Sequence, residues 1–373
     1  MIQGFFDLPA TVDAIREGID RGLHLGAQVY VSQRGRVRAD GAVGENRPGE
    51  PLTPDHLMLW LSATKPVTAV AAGRLWEAGA VGLDDPVASV IPEFARGGKE
   101  SITLRHVLTH TGGFRMLQLG WPEASWEEVL EKIYDRRLEP RWVPGEKAGY
   151  HLASSWFVLG EMVGRLAGVP VSEYVRREIF EPLGMSDSWI GMPAGRYREC
   201  ERDGRIAATW NTGGDGDPSL HPWHDEPHVT AVSPGGNGRG PMRELGRFYE
   251  ALLAGGTLDG ARLLSTPAVE AMTARHRAGI FDHTFKHVLD WGLGFIVNST
   301  QYGADTVPYA YGPHASRRAY GHSGYRSVAA FADPEHALAV AVAWNGTPSN
   351  EAHEGRVRRV LGAVYEDLGL VGR

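Results

Sequence analysis

The chain has 373 residues, of which 42% are hydrophobic and 22% are charged, and its formal net charge is −7. This length and composition are typical of a globular protein that buries a sizeable core in two or three domains. The negative charge balance argues against broad nucleic-acid binding, which needs a basic face. Cys200 is the single cysteine, which excludes an intramolecular disulfide and a cysteine-based metal cluster.

The amino-terminal residues carry no recognisable targeting signal. Residues 1–9 lack a basic segment followed by a long apolar run, and no apolar stretch of about eighteen residues occurs elsewhere. The sequence therefore predicts a cytoplasmic protein without a signal peptide, a membrane span or a membrane partner.

The first predicted elements are a helix and a hairpin. Residues 8–23 place apolar side chains at helical spacing on one face. Residues 27–31 and 37–43 are apolar runs joined by a short connection that contains Gly35, which is typical of two paired strands.

The next predicted helix, about residues 62–79, opens on Ser62-Ala63-Thr64-Lys65. Residues three apart share a helical face, so the Ser62 hydroxyl and the Lys65 amine are expected side by side. The helix start would also direct main-chain N–H groups toward whatever Ser62 attacks. Because the flanking residues are apolar, we expect Lys65 to be buried, and a lysine kept neutral by burial can accept a serine proton.

A mostly helical region is predicted from about residue 86 to 200, and it contains a second candidate. Tyr150 follows the Pro144-Gly145 turn and precedes a predicted helix at 153–166. A phenol at this place can act as a general base or a proton shuttle, its pKa lowered by nearby cations.

Residues 200–240 are predicted to form a long loop, and loops of this kind are often functional. His221, His224 and His228 lie in it among carboxylates and raise the question of a metal site. Prolines break the helix that would give such ligands their geometry, so we expect no metal and no cofactor.

Helix signals return at 241–254, strand signals occur near 291–298 and 326–344, and a last helix is predicted at 351–368. His322 lies ahead of the 326–344 strands, between two glycines that allow the main chain to approach a ligand closely.

Strand signals at both ends with helices between them predict an α/β (α+β) fold. We expect an antiparallel sheet built from both termini and flanked by helices, with a helical domain inserted. The predicted boundaries assign residues 1–85 and 232–373 to the sheet domain and residues 86–231 to the inserted domain.

In order and separation, Ser62-x-x-Lys65, Tyr150 and His322-x-Gly324 resemble the motifs of the penicillin-recognising serine hydrolases. This superfamily includes class C β-lactamases, DD-peptidases and carboxylesterases built on the same scaffold. The resemblance covers nearly the whole chain, because further segments match, namely residues 83–87, 91–94, 102–114, 180–187 and 291–295. It implies a β-lactamase/transpeptidase-like fold in which the three motifs meet in a cleft.

The resemblance also implies a role for each motif residue. Ser62 would form the acyl-enzyme, Lys65 would accept its proton, and Tyr150 would carry a proton to the leaving group. The oxyanion hole would consist of the main-chain N–H groups of Ser62 and Tyr325. His322 would orient Tyr150 or a substrate oxygen.

Two departures from the family pattern bear on the substrate. Leu152 stands where β-lactamases carry an asparagine that helps to hold the β-lactam amide, and His322 stands where they carry lysine. A neutral histidine leaves one fixed cation fewer for a substrate carboxylate. Ser323, Gly324, Trp156 and Leu152 are the further candidates for substrate contact.

The sequence thus predicts a serine hydrolase, foremost a carboxylesterase or amidase that acts on a small-molecule or peptide-like ester or amide. An acyltransferase or a cyclising thioesterase- or peptidase-like enzyme would use the same acyl-enzyme with another acceptor. The remaining alternatives are a weak β-lactamase or DD-peptidase and a non-enzymatic sensor that stops at acylation. An α/β-hydrolase is disfavoured because Tyr325 replaces the last glycine of the Gly-x-Ser-x-Gly elbow around Ser323. The sequence does not indicate the oligomeric state.

Overall fold

The computed structural model describes residues 1–214 and 216–371. Its α-helices, in chain order, are α1 Pro9–Asp20, α2 Lys65–Glu77, α3 Leu104–Leu108, α4 Trp126–Asp135, α5 Ser154–Ala167, α6 Val171–Val175, α7 Ala194–Arg202, α8 Glu226–Thr230, α9 Met242–Leu253, α10 Thr266–Thr273 and α11 Asn350–Asp367. Short 3-10 turns lie at Ser62–Thr64, Val87–Ser89, Pro92–Ala95, Pro222–His224 and Thr300–Tyr302, and a π-helical turn lies at Arg176–Phe180.

The strands, in chain order, are β1 Ile2–Phe6, β2 Gly26–Gln33, β3 Arg36–Arg47, β4 Glu50–Pro51, β5 Met58–Leu61, β6 Trp189–Ile190, β7 Trp210–Asn211, β8 Ser219–Leu220, β9 Gly238–Gly240, β10 Thr257–Leu258, β11 Ala261–Arg262, β12 Phe281–Asp282, β13 His287–Val288, β14 Asp290–Trp291, β15 Ile296–Val297, β16 Tyr320–Gly324, β17 Val328–Asp333, β18 Leu338–Trp344 and β19 Gly346–Thr347.

The central sheet is antiparallel and joins the two ends of the chain. Its strand order is β1-β3-β2-β18-β17-β16-β15-β14, with β4 paired to β3 at one side. The junction is the pairing of β2 with β18, where Tyr30 lies opposite Ala341. The predicted α+β fold with a sheet built from both termini is therefore confirmed.

Helices cover both faces of this sheet, which explains why its central strands are apolar throughout. Every residue of β17 and β18 is buried, as expected of strands without a solvated face. Helices α1 and α11 pack against each other and share a core with one face. Helix α9 packs on the other face, and α2 lies beside β16.

Two local predictions differ from the structure. His322 does not lie in a connection ahead of a strand but inside β16. Residues 200–240 are not one long loop, because they contain β7, β8, α8 and β9. These elements are too short to show a helical or strand period in the sequence. The domain boundaries at 85/86 and 231/232 stay a prediction.

Within the described ranges, no helix combines the length and the apolar character that a bilayer crossing needs.

Candidate active site

Ser62 lies where β5 gives way to α2, in the 3-10 turn Ser62–Thr64. Leu61 immediately before it has a φ of 49°, a left-handed conformation that costs a non-glycine residue about 1–3 kcal/mol and is typical of functional sites. The turn is fixed from within by Thr64, whose Oγ1 donates to the Leu61 carbonyl at 2.6 Å and accepts from the Gly238 N–H at 2.8 Å.

Lys65 is completely buried, and its Nζ lies 3.1 Å from Ser62 Oγ. The same amine donates to the carbonyls of Leu152 at 2.9 Å and Gly235 at 2.8 Å. Burial lowers the pKa of Lys65 to about 7. A neutral amine has two N–H donors and one lone pair. The two carbonyls use both donors, so the lone pair is left to accept the Ser62 proton.

Tyr150 completes a three-residue contact, since its OH donates to Ser62 Oγ at 2.8 Å. The expectation that cations lower the pKa of this phenol is wrong. Burial raises the pKa of Tyr150 well above its usual value, and Lys65 Nζ lies over the ring, 5.0 Å from its centroid. A protonated Tyr150 is a donor toward Ser62, which suits a general acid better than a base.

His322 lies beside these groups on β16, with its ring centroid 5.9 Å from that of Tyr150. Burial, reinforced by the charge of Lys65, lowers the pKa of His322 to about 3. Its Nδ1 lies 2.8 Å from the Ser323 carbonyl, which assigns the proton to Nδ1. Nε2 is then a buried acceptor, and it has no partner within the described parts of the chain.

Strand β16 approaches the nucleophile turn so closely that only glycine fits at its end. A Cβ on Gly324 would lie 2.5 Å from the Trp60 carbonyl oxygen and 3.1 Å from Leu61 Cβ. Gly324 thus contacts Trp60 and Leu61. Tyr325 directly follows Gly324, and Ser62 directly follows Leu61, so both residues adjoin this contact. Arg326, just after Tyr325, is left-handed with a φ of 46°, so both candidate oxyanion donors adjoin a residue in a strained conformation.

Trp156 is a candidate for substrate contact, but the structure places it in the core. Its side chain is fully buried, and Nε1 donates to the Lys65 carbonyl at 3.0 Å. Trp156 therefore supports the first turn of α2 from below. A tryptophan can face the core or a cleft, so the sequence alone could not show that α5 turns this ring inward.

Leu152 and Ser323, the other candidates for substrate contact, differ in exposure. The Leu152 side chain is 60% exposed, while its carbonyl holds Lys65. Ser323 is buried and lines a cavity of about 490 Å³. The wall of this cavity includes Phe285, whose ring packs 4.6 Å from that of Tyr150. One aromatic ring thus separates the cavity from the phenol.

The histidine-rich segment does not assemble a metal site. His228 pairs with Asp225 at 2.6 Å, His221 stacks on Trp223 with ring centroids 4.1 Å apart, and His224 bonds the His221 carbonyl. Across residues 1–214 and 216–371, no group of three or more His, Cys, Asp or Glu side chains could hold a metal ion.

Sequence reasoning missed the residues that hold Tyr150 in place. Asp282 and Thr284 bind its main-chain N–H and carbonyl, and Arg277 pairs with Asp282 inside the core. They belong to no recognisable motif. Residues 275–290 contain many charged and histidine side chains, so nothing in the sequence distinguishes these three from their neighbours.

A serine bonded to a buried lysine and a tyrosine, beside an antiparallel sheet flanked by helices, defines the site of a serine hydrolase of the acyl-enzyme type. The family model described as Beta-lactamase matches residues 12–365. The chain belongs to this family.

Individual relatives agree with that assignment. The chain is 24% identical over 332 residues to the esterase/β-lactamase LipL of Mycobacterium tuberculosis, covering 79% of this chain and 70% of the relative. A penicillin-binding protein homologue from Caulobacter crescentus has a TM-score of 0.81 and 29% identity, with 98% of this chain and 100% of that one covered. A family VIII carboxylesterase has a TM-score of 0.82 and 26% identity at the same coverage. The protein is an enzyme that works through an acylated serine.

Proposed function

We propose that the protein is a carboxylesterase or amidase that forms its acyl-enzyme on Ser62. The observation that carries this proposal is the double contact of Ser62 Oγ, 3.1 Å from the Lys65 amine and 2.8 Å from the Tyr150 OH. One neighbour is suited to take the serine proton, and the other is suited to give a proton.

In the proposed acylation step, Ser62 Oγ attacks the carbonyl carbon of an ester or amide while its proton passes to Lys65 Nζ. The carbonyl oxygen becomes an oxyanion held by the N–H groups of Ser62 and Tyr325, each such donor contributing about 3 kcal/mol. Tyr150 protonates the leaving alcohol or amine as the tetrahedral intermediate collapses, and it is reprotonated from Lys65. In deacylation water attacks the acyl carbon, and the protons move in the opposite direction.

The substrate class is argued from the surroundings of these residues. The absent asparagine at Leu152 and the neutral His322 remove two of the groups with which β-lactamases hold their substrate. LipL and the family VIII enzyme, which both carry an esterase name, support ester cleavage.

An acyltransferase is the second candidate, since an alcohol or amine can replace water as the acceptor. A weak β-lactamase or D-alanyl peptidase would use the same acylated serine, and a sensor would stop at acylation. These candidate functions differ in the molecule that accepts the acyl group and in the class of acyl group that Ser62 carries.

The test combines turnover with intact mass. The wild-type protein is incubated in parallel with p-nitrophenyl butyrate, nitrocefin and a D-alanyl-D-alanine peptide, with and without methanol as a competing acceptor. We expect fast turnover of the ester, an acyl adduct on Ser62 and slow or no turnover of nitrocefin. Ser62→Ala should lose both turnover and adduct, whereas Ser323→Ala should keep the adduct. An adduct that persists in Ser62→Ala would refute the proposal.

A further inference from the structure

Both main-chain polar groups of Tyr150 are bound by one short segment, residues 281–285, which we call the tyrosine clamp. Asp282 Oδ1 accepts from the Tyr150 N–H at 3.1 Å, and Thr284 Oγ1 donates to the Tyr150 carbonyl at 3.0 Å. The ring of Phe285 packs on the phenol ring. The N–H of residue His283 donates to the Ala148 carbonyl at 2.9 Å, so the chain entering Tyr150 is held as well.

Asp282 is itself fixed by several donors. Its side chain is fully buried, and Oδ2 pairs with Arg277 Nη2 at 3.0 Å, where Arg277 is only 1% exposed. Oδ1 also accepts from the N–H groups of Thr284 at 2.8 Å and Phe285 at 3.0 Å. Arg277 is anchored in turn on the Thr109 carbonyl at 2.9 Å. The carboxylate cannot shift without leaving a buried charge unpaired.

A second ion pair fixes Thr284, the other residue of the tyrosine clamp that binds the Tyr150 main chain. Thr284 Oγ1 accepts from Arg115 Nη1 at 2.8 Å, and Arg115 pairs with Glu139 at 2.6 Å in a largely buried position. Two ion pairs from separate parts of the chain therefore converge on the N–H and the carbonyl of one residue, Tyr150.

We propose that Asp282 and Thr284 are positioning residues that set the distance between the Tyr150 hydroxyl and Ser62 Oγ. This inference rests on the proposed function, in which Tyr150 transfers the proton. Neither residue bonds Ser62 or Lys65, so each acts through the main chain of Tyr150. The phenol oxygen lies at the far end of a rigid side chain, and a misplacement of about 1 Å at a reacting group can lower the rate about 100-fold.

Asp282→Asn tests the clamp, because its amide nitrogen would face the Arg277 guanidinium, donor against donor, and turning the amide to relieve this takes its oxygen away from the Tyr150 N–H. Asp290→Asn is its matched control. Asp290 is equally buried, pairs with Arg275 at 2.8 Å and accepts from the Gly279 N–H at 2.9 Å, but it does not bond Tyr150. We expect both variants to lower the thermal midpoint. With ethyl butyrate, whose basic leaving group needs a proton, only Asp282→Asn should lower kcat, by about 10- to 100-fold, with KM changed by less than about 2-fold.

Thr284→Val and Thr284→Ser repeat the test without unpairing a buried charge. Valine keeps the volume of threonine but cannot donate to the Tyr150 carbonyl, so kcat should fall by about 10-fold. Serine keeps the hydroxyl and should restore kcat to within about 2-fold of the wild type. A structural role alone would not produce this rescue at constant KM.

Two results would overturn the clamp while leaving the proposed function intact. One is a wild-type kcat in both Asp282→Asn and Thr284→Val when Tyr150→Phe is strongly impaired. The other is an equal loss of kcat in Asp282→Asn and Asp290→Asn, which would reflect general destabilisation. A wild-type rate with ethyl butyrate in Tyr150→Phe would refute the proposed role of Tyr150 and the clamp together.

Discussion

The amine of Lys65 and the hydroxyl of Ser62 lie 3.1 Å apart, at a point where the amine is fully withdrawn from water. The carbonyls of Leu152 and Gly235 accept two hydrogen bonds from this amine, which is the number that a neutral amine can donate. Any third proton on Nζ points toward Ser62 and blocks the transfer. The protonation state of Lys65 should therefore control the rate of acylation.

The first prediction concerns the pH dependence of acylation. Because burial lowers the pKa of Lys65 to about 7, kcat/KM should rise with pH through about 7 and then level off. Lys65→Arg should be inactive at every pH, since its guanidinium stays protonated. The measurement is kcat/KM for p-nitrophenyl butyrate from pH 5 to 9, corrected for spontaneous hydrolysis. A flat profile in the wild type would assign the base to another group.

The second prediction concerns stability. The pKa of Lys65 falls from 10.5 to about 7 on folding, so between these values the unfolded state binds the extra proton. The wild type should therefore lose free energy of unfolding as the pH falls from about 10.5 to 7, and no further below 7. Lys65→Met lacks this dependence. Urea unfolding of both proteins from pH 6 to 10 should show a difference that grows in favour of methionine toward pH 7. A pH-independent difference would contradict the buried charge.

The third prediction concerns the role of Tyr150 as an acid. Tyr150→Phe removes the donor to Ser62 Oγ while it keeps the ring that packs on Phe285. Esters with a basic leaving group, such as ethyl butyrate, should lose two or more orders of magnitude in kcat/KM, roughly the contribution of general acid catalysis. p-Nitrophenyl butyrate should lose much less, because p-nitrophenolate leaves without protonation. Equal losses for both esters would show that Tyr150 acts on Ser62 instead.

The fourth prediction concerns specificity. Leu152→Asn changes a side chain that is 60% exposed, so the free energy of unfolding should stay within about 0.5 kcal/mol. Its carbonyl bond to Lys65 is retained, and ester turnover should change by less than about 3-fold. Because the new amide can bond an acyl amide, acylation by nitrocefin should become faster. Stopped-flow acylation rates for both variants provide the comparison, with Leu152→Ala as the control that adds no hydrogen-bonding group.

The fifth prediction concerns the loss of stability at acidic pH. Burial lowers the pKa values of His151 and His322 to about 3, below the usual 6.5, so the unfolded state takes up protons first. Stability is fully present above pH 6.5 and declines below it, by roughly 2–3 kcal/mol per histidine at pH 4.5. His151→Gln keeps an acceptor for the Phe114 N–H and should flatten this decline by about that amount. An unchanged slope would mean that His151 does not contribute to it.

The fold could be predicted well from the sequence where local patterns were strong. The hairpin formed by β2 and β3 and the apolar runs of β17 and β18 show the strand period or length directly. The position of His322 inside β16 was missed because Gly321 and Gly324 were interpreted as room for a ligand rather than as part of a strand. In the structure they are required by the close approach of neighbouring main chain, which no local pattern reports.

The candidate site could be predicted as far as its side chains belong to motifs. Ser62 and Lys65 share a helical turn, so their contact follows from spacing alone. The contact of Tyr150 with Ser62 joins residues 88 apart in sequence and was expected only from the resemblance. Asp282, Thr284 and Arg277 act through hydrogen bonds to main-chain atoms. Every residue type has these main-chain atoms, so such a bond does not require a particular residue as its partner. A single sequence therefore gives no sign of it.

The pairing of β2 with β18 determines when during translation the enzyme becomes competent. The nascent chain contains Ser62 and Lys65 early, yet β5 contacts β16 and β18 and α2 contacts β16, and both strands belong to the last part of the chain to be made. Until then the strand that places Tyr325 opposite Ser62 is missing, and helix α2 lacks β16 beside it. A prematurely terminated polypeptide would carry the nucleophile without the means to use it, so hydrolysis is reserved for chains in which the two ends have met.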